Sequence, residues 1–239
     1  MRVHLPDPLH GWRAFIGEVG VVVLGVLIAL FAQQLVQSLN DRSAAQEARK
    51  NIRAELAVNI GRMQSSDGRS ACLARRLDEI AALITEARRG RSLTDVRWIG
   101  RPPVWDMEET RWQAATSAGR SSLFSPDEQA AMGDVYSLMA DYQGQVRIEQ
   151  EAWAKLRGLA GLQALSEARE ASLSDALQQA RYSQWILDID SKQAQDAAKR
   201  LGVRAKPVPP SLSPLCIPTN VTREEALKRM GDARSGEPL

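Results

Sequence analysis

The residues best suited to covalent chemistry are two cysteines, Cys72 and Cys216, which are the only cysteines in the chain. In an oxidising compartment they can pair and pin the tail of the chain across a helical domain, whereas in a reducing compartment they remain two buried thiols. A disulfide that closes so long a loop stabilises a fold by roughly 4–5 kcal/mol on the chain-entropy model. The pair is therefore a candidate disulfide whose state depends on the compartment.

Carboxylates give weaker indications of catalysis or metal binding. Asp106, Glu108 and Glu109 could supply an acid and a base for glycoside chemistry, but no second cluster accompanies them. Asp188 and Asp190 resemble a metal-binding pair only if they lie in a loop. The helix predicted there would point their carboxylates about 200° apart.

Catalytic motifs are absent from the sequence. It contains no P-loop, no GxGxxG, no GxSxG and no CxxC. Its two histidines, His4 and His10, both precede the long apolar run described next, which removes the commonest base and metal ligand from the rest of the chain. We therefore predict a protein that is not an enzyme, with no catalytic residue, no cofactor and no metal.

A tryptophan-rich segment, residues 93–119, is the one unusual region. Its indoles recur every seven residues, but Pro102 and Pro103 interrupt any continuous helix. Two interpretations remain open: the indoles fill gaps at the edge of a helical core, or they form a pocket with nearby arginines for an anionic or sugar-containing ligand. The candidate pocket residues are Trp98, Arg101, Trp105, Arg111 and Trp112.

One apolar run dominates the organisation of the chain. Residues 15–32, FIGEVGVVVLGVLIALFA, contain a single charge, Glu18. As a helix the run spans ~27 Å, close to the hydrocarbon thickness of a bilayer. It lacks the small-x-small cleavage site of a signal peptide, so we predict a retained single-pass anchor over residues 12–36, preceded by a short tail, residues 1–11.

A stripe of small residues marks one face of this anchor. Gly25 and Ala29 form a small-xxx-small pair that lets two helix backbones approach. The stripe predicts self-association or packing against another membrane protein; alternatively, Glu18 extends to the membrane surface and the small residues have no partner. The candidate packing face comprises Glu18, Val22, Gly25, Ala29 and Ala32.

The remainder of the chain is typical of an all-α protein. Helical periodicity is widespread, alternating strand patterns are nearly absent, and the net charge of +2 gives no footprint for nucleic acid. We predict that the anchor continues into an up-and-down bundle of about four helices, residues 37–203. A Pro-rich tail, residues 204–239, follows with a short terminal helix, and Ser125, Ser166 and Thr222 are the predicted helix caps.

The orientation in the membrane has two opposing indicators. Arg2 and Arg13 lie on the N-terminal side of the apolar run, while Arg42, Arg49 and Lys50 lie on its C-terminal side, which slightly favours a cytoplasmic domain. A short tail before an uncleaved anchor is, however, the usual layout for export of the following part, and long domains are translocated largely regardless of charge. We expect a bacterial inner-membrane protein with a periplasmic domain.

Several segments resemble a family of uncharacterised bacterial proteins that have one N-terminal anchor and a helical C-terminal domain. The resemblance covers most of residues 12–200 and rests on FIGEVGVVVLGVLIALFAQQL, IRAELAVNI, ACLARRLDEIAALI, WIGRPPVW, TRWQAATSAGR and LFSPDEQ. It implies the membrane location and the helical fold, and it carries over no activity and no site residue. The expected function is a membrane-anchored scaffold or interaction protein, or alternatively a ligand-sensing bundle that signals through a membrane partner.

Overall fold

The computed structural model describes residues 12–67, 70–208 and 213–235, so the predicted tail 1–11 lies outside the described residues. Within the described part the chain is all-α without a strand, as predicted. Three short 3₁₀ turns, Arg120–Leu123, Arg157–Leu159 and Pro214–Cys216, accompany the helices. The helices are α1 Trp12–Asp67, α2 Ser70–Arg88, α3 Thr110–Ser117, α4 Pro126–Leu156, α5 Glu167–Arg200 and α6 Arg223–Ser235.

The predicted caps start three of the helices. The hydroxyls of Ser125, Ser166 and Thr222 each accept a hydrogen bond from the backbone N–H three residues further on, at 3.3, 3.4 and 3.2 Å. A side-chain oxygen at this position satisfies a backbone donor that the first helical turn leaves without a partner. Local sequence therefore determines where α4, α5 and α6 begin.

α1 joins an exposed apolar half to a packed half in one continuous helix. Its stretch Phe15–Ser66 contains an 18-residue window of mean hydropathy 2.5, none of it buried, and is long and apolar enough to cross a membrane. The packed half begins at Ala45 and presents residues at three- and four-residue spacing to the core. These are Ala45, Ala48, Ile52, Leu56, Ile60 and Met63, each at most 6% exposed.

The packed half of α1 runs parallel to α4. Arg49 pairs with Glu128 near the start of α4. Further along both helices, the amide of Asn59 lies 3.5 Å from the sulfur of Met139. Contacts that advance together along two helices require that the helices point the same way.

α2 takes the same direction as α1. Asp78 pairs with Arg181, and Arg88, ten residues later, pairs with Glu170, which lies earlier on α5. α2 is thus antiparallel to α5, as α4 and α1 are. The four long helices therefore do not alternate in direction as they would in a simple up-and-down bundle. Instead, α1 and α2 follow one another along the same side of the α4–α5 pair. α2 has 19 residues and α5 has 34, so α2 alone is too short to cover the α4–α5 pair. The packed half of α1 covers the rest of that pair.

Two apolar cores result. The lower core joins the packed half of α1 to the first half of α4 and the end of α5, and includes Leu56, Met132 and Ala194. The upper core joins α2 to the end of α4 and the start of α5, and includes Ile80 and Trp153. The junction between α1 and α2 lies where the two cores meet.

Candidate ligand-binding cavity at the junction of α1 and α2

The tail after α5 packs directly on α1 below the junction. The backbone N–H of Lys206 donates to the carbonyl of Ala57 at 2.7 Å. A Cβ on Gly61 would lie 1.8 Å from the carbonyl oxygen of Lys206, so only glycine permits this approach. The tail is thereby fixed to the packed half of α1.

The tail is also fixed to α2 above the junction. Cys72 and Cys216 form a disulfide with a Cα–Cα distance of 5.1 Å, within the range that disulfides require. The two cysteines are 144 residues apart in the sequence, so the bond closes most of the bundle into one loop. Since the tail contacts α1 at Lys206 and α2 at Cys216, it bridges the junction.

A buried guanidinium reinforces this attachment. Arg76 is 1% exposed and donates to the carbonyls of Trp98, Ile99, Leu215 and Ile217. Burial lowers the pKa of Arg76, an effect that the neighbouring charge of Glu79, 3.0 Å away, opposes. One guanidinium thus binds two backbone carbonyls of the segment after α2 and two of the tail.

A cavity of about 480 Å³ opens beside the junction. Every element that meets there contributes to its lining, including Ser66 at the end of α1, Leu73 on α2, Pro102 in the connecting segment and Leu215 in the tail. Its volume falls within the range typical of small-molecule sites. Residues of α1, α2, α4, α5 and the tail all line this one cavity.

Glu149 on α4 is the chemically distinctive group of this cavity. It is 4% exposed, and burial raises its pKa to about 7 without a contribution from a neighbouring charge. The other charged lining residues, Arg181 and Asp188, pair with Asp78 at 3.1 Å and with Lys192 at 2.6 Å. A buried carboxyl is therefore left to titrate near neutral pH inside a largely apolar space.

Aromatic side chains contribute to the same cavity. Tyr142 is buried on α4, while Trp185 on α5 is 58% exposed. The ring of Trp185 lies 5.8 Å from that of Tyr182 in a tilted arrangement. An exposed indole beside a partly apolar cavity provides a surface on which a ligand can stack.

The tryptophan and arginine residues of the predicted pocket do not come together. Trp98 donates from its indole nitrogen to the carbonyl of Pro214 at 2.8 Å and packs with the small cluster around α6. Trp112 instead stacks on Tyr136 at 5.5 Å, beside the lower core. The two indoles thus belong to different clusters.

Of the remaining three residues of that prediction, Arg101 lies far from Trp112. Arg101 donates to the side chain of Gln150 on α4 at 2.7 Å. Gln150 lies 14 residues after Tyr136, on which Trp112 stacks, and this separation is about 21 Å along the helix. Arg111 has an exposed side chain, and Trp105 is half-buried. The sequence predicted a pocket here because it could not show that Trp98 and Trp112 pack in separate clusters.

The carboxylate of Glu108, one of those considered for catalysis, pairs with an arginine. Arg62 donates to the carbonyl of Asp106 and to the carboxylate of Glu108, both at 2.6 Å. Asp188 and Asp190 lie on α5, as predicted. Across residues 12–67, 70–208 and 213–235 no group of three or more potential metal ligands occurs; His4 and His10 lie outside these ranges.

The predicted packing face of the anchor is exposed throughout. A Cβ on Gly25 would meet no atom within 4 Å. This surface is therefore available to lipid or to another helix. It comprises Glu18, Val22, Gly25, Ala29 and Ala32.

Sequence reasoning missed Glu149, although a signal was present. Tyr142, Val146, Glu149 and Trp153 follow the four-three-four spacing of one helical face, and the other three are buried apolar or aromatic residues. A carboxylate at such a position interrupts an otherwise apolar stripe. That interruption marks a buried titratable group.

Comparison of the chain with protein-family models, with curated proteins and with solved structures found no match. The function is therefore argued from the sequence and the structure.

Proposed function

We propose that this chain is a membrane-anchored helical scaffold or interaction protein of the bacterial envelope, whose bundle lies in the periplasm and which acts by association rather than catalysis. The observation that carries the proposal is the continuity of α1, whose exposed apolar half passes without a break into the packed half. A rigid helix of this kind ties the position of the bundle to the membrane. The bacterial assignment rests on the family resemblance.

The disulfide supports the periplasmic location. Structural disulfides persist in oxidising compartments such as the periplasm and are rare in the cytosol. Cys72 and Cys216 are both consumed by this bond, and no free cysteine remains. Export of the bundle across the inner membrane accounts for that usage.

The exposed face of α1 supports association within the bilayer. Gly25 and Ala29 leave space for a second backbone, and a polar Glu18 on the same face favours a partner over lipid. The proposed partner is a second copy of this chain or another membrane protein.

Reporter fusions test this proposal. Alkaline phosphatase fused after Leu239 is active only in the periplasm, and a cytoplasm-active reporter at the same position serves as the matched control. The proposal requires phosphatase activity together with an inactive cytoplasmic reporter. The reverse pattern would place the bundle in the cytoplasm and remove the envelope role.

The cavity favours a second candidate function, which is ligand sensing through a membrane partner. Its walls include both Ser66 on α1 and Leu73 on α2, so an occupant touches both sides of the junction. A ligand that prefers one arrangement of the two helices would shift the position of the anchor. This candidate replaces the predicted Trp/Arg segment with the junction cavity as the sensing site.

A further inference from the structure

We propose that the junction cavity binds a small organic cation, an ammonium or amidinium group on an apolar body, with the carboxylate of Glu149 as its counter-charge. This inference rests on the ligand-sensing candidate and names the chemical class of the ligand. It is independent of self-association through α1.

The charged residues that line the cavity indicate which class of ligand it binds. Among the charged lining residues, Arg181 and Asp188 already have partners of opposite charge in Asp78 and Lys192. Among the side chains that the structure describes, α1, α2, the connecting segment and the tail contribute only uncharged ones to the lining. Glu149 is thus the buried charge that a ligand can neutralise, and a cation is the ligand that does so.

The apolar residues of the lining favour a ligand whose charged group is attached to an apolar body. Leu73, Val146 and Leu215 bring aliphatic surface to the same cavity as Glu149. Tyr142 and Trp185 add aromatic rings, whose faces attract cations. A cavity of about 480 Å³ accommodates a ligand of one ring with a short amine chain.

Binding of a cation should be coupled to loss of the proton from Glu149, so the affinity for the cation should rise with pH. In the empty cavity, burial raises the pKa of Glu149 to about 7, so part of the population is neutral at pH 7. A bound cation favours the ionised form. Among the described lining residues, the other titratable groups are Arg181, Asp188 and Tyr142. A ligand that stays positively charged throughout should therefore bind about tenfold more tightly at pH 8 than at pH 6 and release a proton at pH 7.

The test uses the full chain in lipid nanodiscs with three probes of similar shape: benzylamine, benzyl alcohol and benzoate. Ligand-observed NMR measures the dissociation constants, and calorimetry in two buffers of different ionisation enthalpy measures proton release. Glu149→Gln removes the counter-charge and keeps the side-chain volume. Glu151→Gln, an exposed position on the same helix, is the matched control.

The proposal requires that benzylamine binds in preference to the other two probes, with proton release. Glu149→Gln should weaken benzylamine binding by at least about tenfold and abolish its pH dependence, while Glu151→Gln should leave both unchanged. Equal binding of benzylamine and benzyl alcohol, or preference for benzoate, would overturn the cation assignment and leave a cavity that binds ligands. Failure of all three probes to bind would overturn the sensing candidate as well.

Discussion

Arg76 lies one helical turn after Cys72 on α2, and the two side chains hold the same turn of the tail. The disulfide takes the sulfur of Cys216, while the guanidinium of Arg76 donates to the carbonyls of Leu215 and Ile217 on either side of it. A covalent bond and a buried charge therefore fix one point of the tail beside the α1–α2 junction. The first two predictions separate their contributions.

Reduction of the disulfide should lower the stability of the bundle. On the chain-entropy model, a sequence separation of 144 residues corresponds to roughly 4–5 kcal/mol of unfolding free energy. Denaturant unfolding of the full chain in detergent, with and without reductant, measures the difference. A Cys72→Ser/Cys216→Ser double variant should match the reduced protein and no longer respond to reductant; equal stability of all samples would contradict the prediction.

Arg76→Lys should destabilise the attachment of the tail even with the disulfide intact. A lysine carries three donors on a point charge and cannot reach four carbonyls as the planar guanidinium does, so we expect a loss of about 3 kcal/mol. The amides of Arg97 and Trp98, which donate to Thr219 at 2.8 and 2.9 Å, should exchange with deuterium faster.

Arg75→Lys is the matched control for that variant. The Arg75 side chain is 57% exposed and its ion pair with Glu79 is 3.7 Å long, so its replacement should change stability by less than about 1 kcal/mol. Equal effects of the two substitutions would show that the buried position of Arg76 has no special role.

Gly61→Ala should displace the tail from α1. The added Cβ would meet the backbone of Lys206, which cannot move as a flexible side-chain tip can, so the variant should lose stability despite alanine's higher helix propensity. Gly133→Ala on α4 meets no atom within 4 Å and should gain up to about 1 kcal/mol. Thermal unfolding compares the two; the same sign for both would refute a close contact at Gly61.

Stability should fall as the pH rises from about 4.5 to about 7 because of Glu149. Burial raises the pKa of this carboxyl from 4.5 to about 7, so its stabilising contribution is complete below pH 4.5 and is lost as the pH rises to about 7. Glu149→Gln should therefore be more stable than the wild type at pH 8, by up to about 3 kcal/mol. Unfolding curves at pH 5 and pH 8 measure this, and identical pH dependence in both proteins would rule out a buried ionisable Glu149.

Gly25→Leu should reduce self-association of the anchor. A leucine on the small-residue face separates two backbones that would otherwise approach closely. Val23→Leu, at an exposed position on another side of the helix, is the control and should have no effect. Crosslinking in membranes or sedimentation in detergent reports the oligomeric state; an unchanged state in Gly25→Leu would argue against packing on this face.

Local patterns predicted the helices well because the determinants are local. The hydroxyls of Ser125, Ser166 and Thr222 mark helix starts within a few residues, and the apolar stripe of α1 follows from its spacing alone. The direction that the chain takes after α1 is not determined by the local sequence. Whether α2 reverses direction or continues depends on the lengths of α4 and α5, which the residues around the junction do not encode.

The cavity was harder to predict for the same reason. Tryptophan side chains are common ligand contacts, yet Trp98 and Trp112 belong to two different clusters. Glu149 was detectable as a carboxylate within an apolar stripe, but its surroundings come from five separate segments. Only the tertiary structure brings Ser66, Glu149 and Leu215 to one cavity.

The most direct test of a periplasmic, anchored bundle is the redox state of Cys72 and Cys216 in living cells. Cells that express the full chain are quenched with acid, and free thiols are then alkylated before and after reduction and measured in the membrane fraction by mass spectrometry. The account predicts that both cysteines resist alkylation until reductant is added and that their peptides are linked to each other. Alkylation of both cysteines without reductant, in protein that sediments with the membrane, would contradict it.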